Sequence, residues 1–194
     1  DSSQRYELRA AHGKRHFYAS NKLTLRYLTL TGGTANQNGG SVIATYGHLV
    51  VFSCKFMQNR ALQKGGAVYL SYGAKAYISF SVFYNNSITG TGTGTDHGGG
   101  AIAVKDKATT NITGTKFVEN DAGLNHGGAI FVEGGHHVLL SGGNNVFESN
   151  TAKIAKSIYS DSSSSFEFSS CPRGTYVYAQ SSINNGFIGC PSFC

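Results

Sequence analysis

The sequence predicts an all-β fold, namely a single-stranded parallel β-helix of about five coils followed by a small cysteine-rich C-terminal tail. Two short phrases, which alternate between about residues 50 and 152, carry this prediction. One is Gly-Gly-Ala followed by a β-branched residue, at 65–68, 99–102 and 127–130. The other is Phe-x-x-Asn, which starts at Phe56, Phe83, Phe117 and Phe147. A glycine pair allows positive φ and close backbone approach, so each glycine phrase is interpreted as a corner followed by a strand.

The spacing of the phrases gives the length of each coil. Successive phenylalanines of the second phrase are 27, 34 and 30 residues apart. A period between about 20 and 50 residues indicates stacked repeats, and strand repeats without helical periodicity indicate a solenoid of β-coils. The longest interval contains segment 89–95, in which Thr and Gly alternate. This segment is predicted to loop out at a corner.

Side chains alternate between the two faces of a strand, and this period assigns two rows of equivalent residues to the interior. The phenylalanine row is expected to stack in the core, with Leu30 capping it at the N-terminal side. The second row is an asparagine ladder, whose amides can bond to the amides above and below. Its members are Asn59, Asn86, Asn120 and Asn150. The alternative is a ligand-binding row, but buried turn amides usually satisfy the backbone and one another.

The chain is divided into a β-helix at residues 1–168 and a tail at 169–194. Regular repeats occupy 23–160, and segment 1–22 is predicted to be a divergent first coil. Phe17 lies 26 residues before Ile43, so these two are aligned in a corner strand. At the same offset, residues 23–30 align with 49–56. Residues 166–168 are predicted to be the last core strand.

The two phrases together resemble the repeats of the polymorphic outer membrane proteins and of related algal and protist surface proteins. The resemblance covers about residues 23–160 and includes both phrases in three consecutive coils. It implies a right-handed parallel β-helix that is secreted or displayed at a cell surface. It also implies a non-enzymatic role in adhesion or as a structural stalk, within a larger surface protein or a fibre.

The C-terminal cysteines form a separate pattern. Segments 171–176 (Cys-Pro-Arg-Gly-Thr-Tyr) and 190–194 (Cys-Pro-Ser-Phe-Cys) resemble the start and end of the cysteine-rich modules in ephrin-receptor-like extracellular repeats. Three cysteines within 24 residues predict an oxidising compartment. We expect Cys171 to form a disulfide with Cys190 or Cys194, which leaves one cysteine for a partner outside the chain. Zinc is the alternative, but no histidine follows Cys171. Cys54 is predicted to be a buried small apolar residue.

Catalysis is the main alternative, because many parallel β-helices are polysaccharide lyases or glycoside hydrolases. Hydrolysis needs two carboxylates about 5 to 9.5 Å apart, and elimination needs an acidic calcium site with a base. The ten carboxylates are scattered, and Glu119 has no second acid in its row. The sequence therefore predicts no catalytic residue and no cofactor. The sequence also predicts no metal site. Asp96, His97 and His126, which precede successive glycine corners, are the alternative as metal ligands, but solvent-exposed corner histidines are more common.

The positive charge is concentrated at the N-terminal end. The chain carries a net charge of +6, and residues 1–26 hold six basic against two acidic residues. No groove pattern accompanies these charges, so nucleic acid is disfavoured. Direct membrane insertion is not expected, since no stretch approaches about 20 apolar residues. The unpaired strands at each end predict end-to-end stacking with another domain or subunit. The residues expected at this junction, or in contact with an acidic glycan, are Arg5, Arg9, Lys14 and Arg15.

Two sequons predict N-glycosylation if the source is a eukaryote. They place the modified residues at Asn85 (Asn-Asn-Ser) and Asn111 (Asn-Ile-Thr). Each residue neighbours an inward-facing one, so both are expected to face solvent.

Overall fold

The computed structural model describes residues 5–92, 96–134, 137–142, 144–161 and 163–168. All regular structure in these ranges is β-strand. None of the described segments provides a helix that is long and apolar enough to cross a membrane.

The strands are short, between two and five residues each. In chain order they are β1 (Tyr6–Arg9), β2 (Phe17–Ala19), β3 (Leu23–Arg26), β4 (Leu28–Thr31), β5 (Thr34–Ala35), β6 (Val42–Thr45), β7 (His48–Phe52), β8 (Lys55–Met57), β9 (Arg60–Ala61), β10 (Val68–Ser71), β11 (Lys75–Ser79), β12 (Val82–Tyr84), β13 (Ser87–Ile88), β14 (Ile102–Val104), β15 (Thr109–Thr113), β16 (Lys116–Val118), β17 (Ile130–Val132), β18 (His137–Ser141), β19 (Val146–Glu148), β20 (Ile158–Ser160) and β21 (Ser165–Phe168).

These strands form three six-stranded parallel sheets and one three-stranded sheet. Sheet A has the order β1-β4-β8-β12-β16-β19, sheet B is β2-β6-β10-β14-β17-β20, and sheet C is β3-β7-β11-β15-β18-β21. A small sheet of β5, β9 and β13 lies between sheets A and B along the chain. Each strand pairs in parallel with the equivalent strand of a neighbouring coil, and the chain passes through sheets A, B and C in turn. The predicted all-β parallel solenoid of about five coils is therefore confirmed.

The core follows from period-2 alternation within each strand. In β11, for example, Ala76 and Ile78 are buried while Lys75 and Tyr77 are exposed. The phenylalanine row of sheet A stacks with nearly parallel rings. Successive ring centroids from Phe56 to Phe147 are 4.7, 5.1 and 4.9 Å apart. This spacing matches that of hydrogen-bonded strands, so one ring per coil fills the interior without a gap.

Two expectations about the first coil are wrong. The phenylalanine row does not end at Leu30, because β1 adds a further strand in which Leu8 pairs with Leu30. Phe17 pairs with Val42 rather than with Ile43. Ala19 pairs with Ala44 and Leu23 pairs with Leu49, so the first coil has one residue fewer than the next between these two pairs. The one-residue shift of β2 keeps Phe17 packed against the core.

The corners depend on left-handed backbone. At the glycine corners the first glycine has positive φ, as in Gly99 with φ +75°. A Cβ on the second glycine, Gly100, would lie 2.2 Å from the carbonyl oxygen of Gly128 in the next coil. Only glycine allows this approach. In the last coil, Ala155 occupies the first position with φ 55°. The residues directly before the asparagine ladder are also left-handed, with φ between 51° and 54°: Gln58, Asn85, Glu119 and Ser149.

Candidate functional site

The predicted asparagine ladder is a continuous chain of buried hydrogen bonds. Asn59 Nδ2 donates to Asn86 Oδ1 at 3.0 Å, and Asn86 Nδ2 donates to Asn120 Oδ1 at 2.9 Å. Asn120 Nδ2 continues to Asn150 Oδ1 at 3.0 Å. Each Nδ2 also reaches a backbone oxygen of the preceding coil, as in Asn120 to Phe83 at 3.0 Å. With donors and acceptors used internally, the row favours a structural role over ligand binding.

A second ladder, which sequence reasoning missed, lies at the corner between sheets C and A. The side-chain oxygen of Ser81 accepts from the backbone N–H of Cys54 at 3.1 Å. Asn145 Oδ1 accepts from the backbone N–H of Thr115 at 3.0 Å in the same way. The signal available in the sequence was that small polar residues recur directly before the strands of sheet A.

Sheet B is unusual because its outer face is buried as well as its inner face. The outward residues of four successive strands are buried and are Tyr69, Ala103, Phe131 and Tyr159. They are covered by the residues just before the glycine pairs, which form a row of parallel bridges: Lys64, Gly98, His126 and Ile154. A Cβ on Gly98 would lie 2.3 Å from Phe131 Cδ2. The missing side chain at 98 therefore makes room for the Phe131 ring.

A buried lysine is the centre of this covering layer. Lys64 is 5% exposed, and its Nζ lies 3.4 Å from Glu133 Oε2. Lys105 Nζ lies 3.3 Å from the same oxygen. Lys64 Nζ also donates to the backbone oxygen of Asp96 and lies 5.6 Å from the centroid of the Phe131 ring. Desolvation by burial lowers the pKa of Lys64, and the Glu133 carboxylate opposes this shift.

The ion-paired cluster borders a polar cleft of about 330 Å³. The cleft is lined by Asn38, Gln63, Lys64, Tyr69, Asp96, His97 and Lys105. Burial, with help from the negative charge of Asp106, raises the pKa of Tyr69 to about 12. The phenol is therefore protonated at neutral pH and is not a ready base. The buried Asn38 Oδ1 and His97 Nδ1 make no hydrogen bond.

The candidate metal ligands do not assemble into a site. Among the described residues, no group of three or more His, Cys, Asp or Glu side chains could hold a metal ion. The His126 ring lies 4.6 Å from the Tyr159 ring, and its buried Nδ1 makes no hydrogen bond. Desolvation by burial lowers the pKa of His126. The described residues therefore do not support the alternative of a metal site at Asp96, His97 and His126, because the bridge row directs His126 onto the aromatic surface of sheet B.

The remaining predicted residues are dispersed over the structure. Cys54 is a free, fully buried thiol, and burial raises its pKa. Glu119 is exposed, and its nearby carboxylate raises the pKa of Tyr84. Asn85 is exposed, whereas Asn111 is half-buried and its Oδ1 accepts from Ser141 at 2.7 Å.

The basic N-terminal residues differ in their availability. Arg5 donates to the backbone oxygen and to the Oγ of Ser53, at 3.1 and 3.2 Å. Arg9 and Lys14 are exposed. Arg15 is half-buried, and desolvation lowers the pKa of its guanidinium group. Arg5 is thus held by its own solenoid, while Arg9 and Lys14 remain at the surface.

Several predictions lie outside the described residues. They concern the tail 169–194, with Cys171, Cys190 and Cys194, and the tip of the predicted loop at 93–95.

The chain is similar to the probable autotransporter YfaL of Escherichia coli (strain K12), with 36% identity over 119 residues. This similarity covers 57% of the chain and 9% of that relative. The chain thus corresponds to less than a tenth of the relative's length. No protein-family model matches the chain, and no solved structure matches it.

Proposed function

We propose that the chain is a solenoid segment of a larger secreted or cell-surface protein, where it acts as a structural or adhesive stalk and not as an enzyme. The observation that carries this proposal is its similarity to an autotransporter, found in a chain that forms a parallel β-solenoid. The resemblance to the polymorphic outer membrane proteins points the same way. A secreted location also agrees with the clustered cysteines of the tail.

The chemistry of the sheet B cleft supports a non-enzymatic role. Glu133 is engaged by two ammonium groups, and Lys64 is engaged by Glu133, Asp96 and Phe131. These contacts close the covering layer over the aromatic residues of sheet B. A hydrolase would instead present two carboxylates on either side of an open substrate site.

Assembly through the ends of the solenoid is part of the proposal. The described N-terminal end is formed by β1, β2 and β3, which are edge strands of sheets A, B and C. Tyr6 and Leu8 of β1 are exposed there, at 67% and 37%. Edge strands with exposed apolar side chains favour pairing with another chain. Arg9 and Lys14 are the basic residues placed to contact such a neighbour.

Surface labelling of intact cells of the native source tests the proposed location. A membrane-impermeant amine reagent followed by peptide mass spectrometry should modify the exposed Lys116 and spare the buried Lys64. Labelling of Lys116 only after cell lysis would contradict a surface location. Modification of Lys64 in intact cells would show that the reagent had reached unfolded protein, so Lys64 serves as the internal control.

The alternative function is that of a carbohydrate-active enzyme, and the sheet B cleft is the observation that favours it. Incubating the purified protein with a panel of polysaccharides measures turnover directly. Turnover that disappears in Lys64→Met, Asp96→Asn or Glu119→Gln would support the enzyme and overturn the structural proposal. We expect no turnover in any of these proteins.

Two covalent modifications remain proposals. Asn85, which is exposed, is the better placed of the two sequons, since Asn111 already uses its Oδ1. A disulfide from Cys171 to Cys190 or Cys194 would close a loop of roughly 20 residues, worth about 3 kcal/mol in the chain-entropy model. Peptide mapping of natively isolated protein, without reduction and before and after glycosidase treatment, tests both.

A further inference from the structure

Four exposed aromatic residues occupy backbone positions that ordinarily favour glycine or asparagine. They have φ between 50° and 61° and are Tyr27, Tyr46, Tyr72 and Phe80. Left-handed backbone is unfavourable for bulky side chains, and a large ring there is a genuine outlier. Their exposed fractions are 36%, 68%, 55% and 57%, so burial does not offset this cost.

The fold itself does not require aromatic residues at these turns. In the row that contains Tyr27 and Phe80, the equivalent left-handed residues of neighbouring coils are Ser53 and Gly114. In the coil after Tyr72, the turn contains the left-handed Asp106. Small or polar residues thus satisfy the same turns elsewhere. Backbone strain that the scaffold does not need is a reason to look for function.

All four residues lie in the turns directly before or after β3, β7 and β11, at the two ends of these strands of sheet C. Tyr46 and Tyr72 stack at 5.3 Å just before β7 and β11. At the other end, Phe52 makes edge contacts with Tyr27 at 5.6 Å and with Phe80 at 5.8 Å. Tyr77, which is 52% exposed, lies between the two ends on β11. We call Tyr46, Tyr72, Tyr77 and Phe80 the aromatic platform.

The charge of this face is positive. The segments that build it, 22–27, 46–53 and 72–80, contain no Asp or Glu. They carry the exposed Lys22, Arg26 and Lys75. The Arg26 guanidinium lies 5.6 Å from the centroid of the Phe52 ring, which holds the cation beside the aromatic surface.

We propose that the aromatic platform and its cations bind an acidic glycan chain. The electron-rich ring faces suit the C–H faces of sugar rings, and Arg26 and Lys75 suit the carboxylate or sulfate groups of the chain. The inference rests on the proposed extracellular location, where such glycans occur. It assigns the glycan to sheet C rather than to the N-terminal basic residues.

Single-stranded nucleic acid also combines stacking with negative charge. An acidic glycan fits better because the three cations and the four rings are confined to three coils. A nucleic acid site instead follows the backbone along an extended basic groove. DNA is therefore the competing ligand in the experiment.

The test is direct binding of the whole chain by isothermal titration calorimetry in about 0.15 M salt. The ligands are polygalacturonate and heparan sulfate as acidic chains, dextran as a neutral chain, and oligothymidylate as single-stranded DNA. The main variant is Tyr46→Asn with Tyr72→Asn. Because asparagine tolerates left-handed backbone, this variant should melt at the same or a higher temperature than the wild type. Tyr18→Asn, at a tyrosine that is 65% exposed on β2, is the matched control.

We expect at least one acidic chain to bind, and the double variant to weaken that binding about tenfold or more while Tyr18→Asn leaves it unchanged. Lys75→Gln should weaken it as well. The inference is overturned if neither acidic chain binds, if dextran binds as tightly, if the DNA binds more tightly, or if the double variant binds like the wild type. Surface labelling of Lys116 in intact cells would still support the proposed location in each of those cases.

Discussion

The interior rows of the solenoid and the outer face of sheet C follow opposite rules. Inside, each coil repeats the same residue type, and the phenylalanine rings and asparagine amides contact identical neighbours above and below. Outside, the aromatic platform occupies the two coils of β7 and β11 and is not repeated in the other described coils. Repeating the same residue type favours stacking, because each residue of a row packs against its equivalents in the coils above and below. A residue that departs from the repeat and still carries strain points instead to recognition.

The largest effect is expected where two coils approach most closely. Gly100→Ala places a Cβ 2.2 Å from the Gly128 carbonyl oxygen and 2.6 Å from the Asp121 backbone nitrogen, so backbone must move. We expect a loss of more than about 4 kcal/mol in the free energy of unfolding, or no folded protein. The control is Gly123→Ala, where nothing lies within 4 Å and only the positive φ opposes the change. It should cost about 1 to 2 kcal/mol. If urea unfolding shows the same loss of stability in Gly100→Ala and Gly123→Ala, the close-approach account is contradicted.

Breaking the asparagine ladder should be the next most costly change. Asn120→Ala removes the acceptor of two hydrogen bonds from Asn86 and the donor of two more, and it leaves buried polar groups unpaired. We expect a loss of about 3 kcal/mol in urea unfolding. Asn36→Ala, at an exposed asparagine, should change stability by less than about 0.5 kcal/mol. A ladder that binds a ligand instead of holding the coils would lose little stability in Asn120→Ala.

The two partners of the buried ion pair of sheet B should differ in how much stability is lost when each is replaced. Glu133→Gln leaves the buried Lys64 ammonium without its carboxylate, and we expect a loss of about 2 kcal/mol. Lys64→Met removes the buried charge and leaves Glu133 paired with Lys105, so stability should change by less than about 1 kcal/mol. The measurement is the urea midpoint of each variant. A larger loss in Lys64→Met would show that the lysine holds the layer by more than its charge.

The smallest effect is a dependence of stability on pH. Desolvation lowers the pKa of His126 below its usual 6.5, so below that pH the unfolded chain binds a proton that the folded chain does not. Stability is therefore complete above about pH 6.5 and falls as the pH drops through the folded pKa. His126→Gln should show a smaller drop in melting temperature between about pH 7.5 and pH 5.5 than the wild type. The exposed His48→Gln is the control, and an unchanged slope in His126→Gln would contradict the assignment.

The sequence predicts those parts of the molecule that repeat themselves. Phe83 and Asn86 recur at fixed offsets, so their rows and the parallel register could be predicted without the structure. The expectations that Leu30 ends the phenylalanine row and that Phe17 pairs with Ile43 were wrong, because the first coil lacks both phrases and its intervals differ in length.

The sheet B cleft could not be predicted. Lys64 and Glu133 are 69 residues apart and lie in different coils, so no local pattern in the sequence links them. The positive φ of Tyr46 and Tyr72 could not be predicted either. The period-2 pattern shows which face of a strand a side chain occupies, but not the backbone conformation of the turns.

The central claim is that the interior rows hold the fold while the aperiodic outer face recognises a ligand. Its most direct test measures both melting temperature and acidic-glycan binding in two variants. Asn120→Ala should lower the melting temperature by about 6 to 12 °C and, well below that temperature, bind the acidic chain as the wild type does. The double variant Tyr46→Asn with Tyr72→Asn should lose binding and keep its melting temperature. The account is contradicted if stability and binding fall together in either protein.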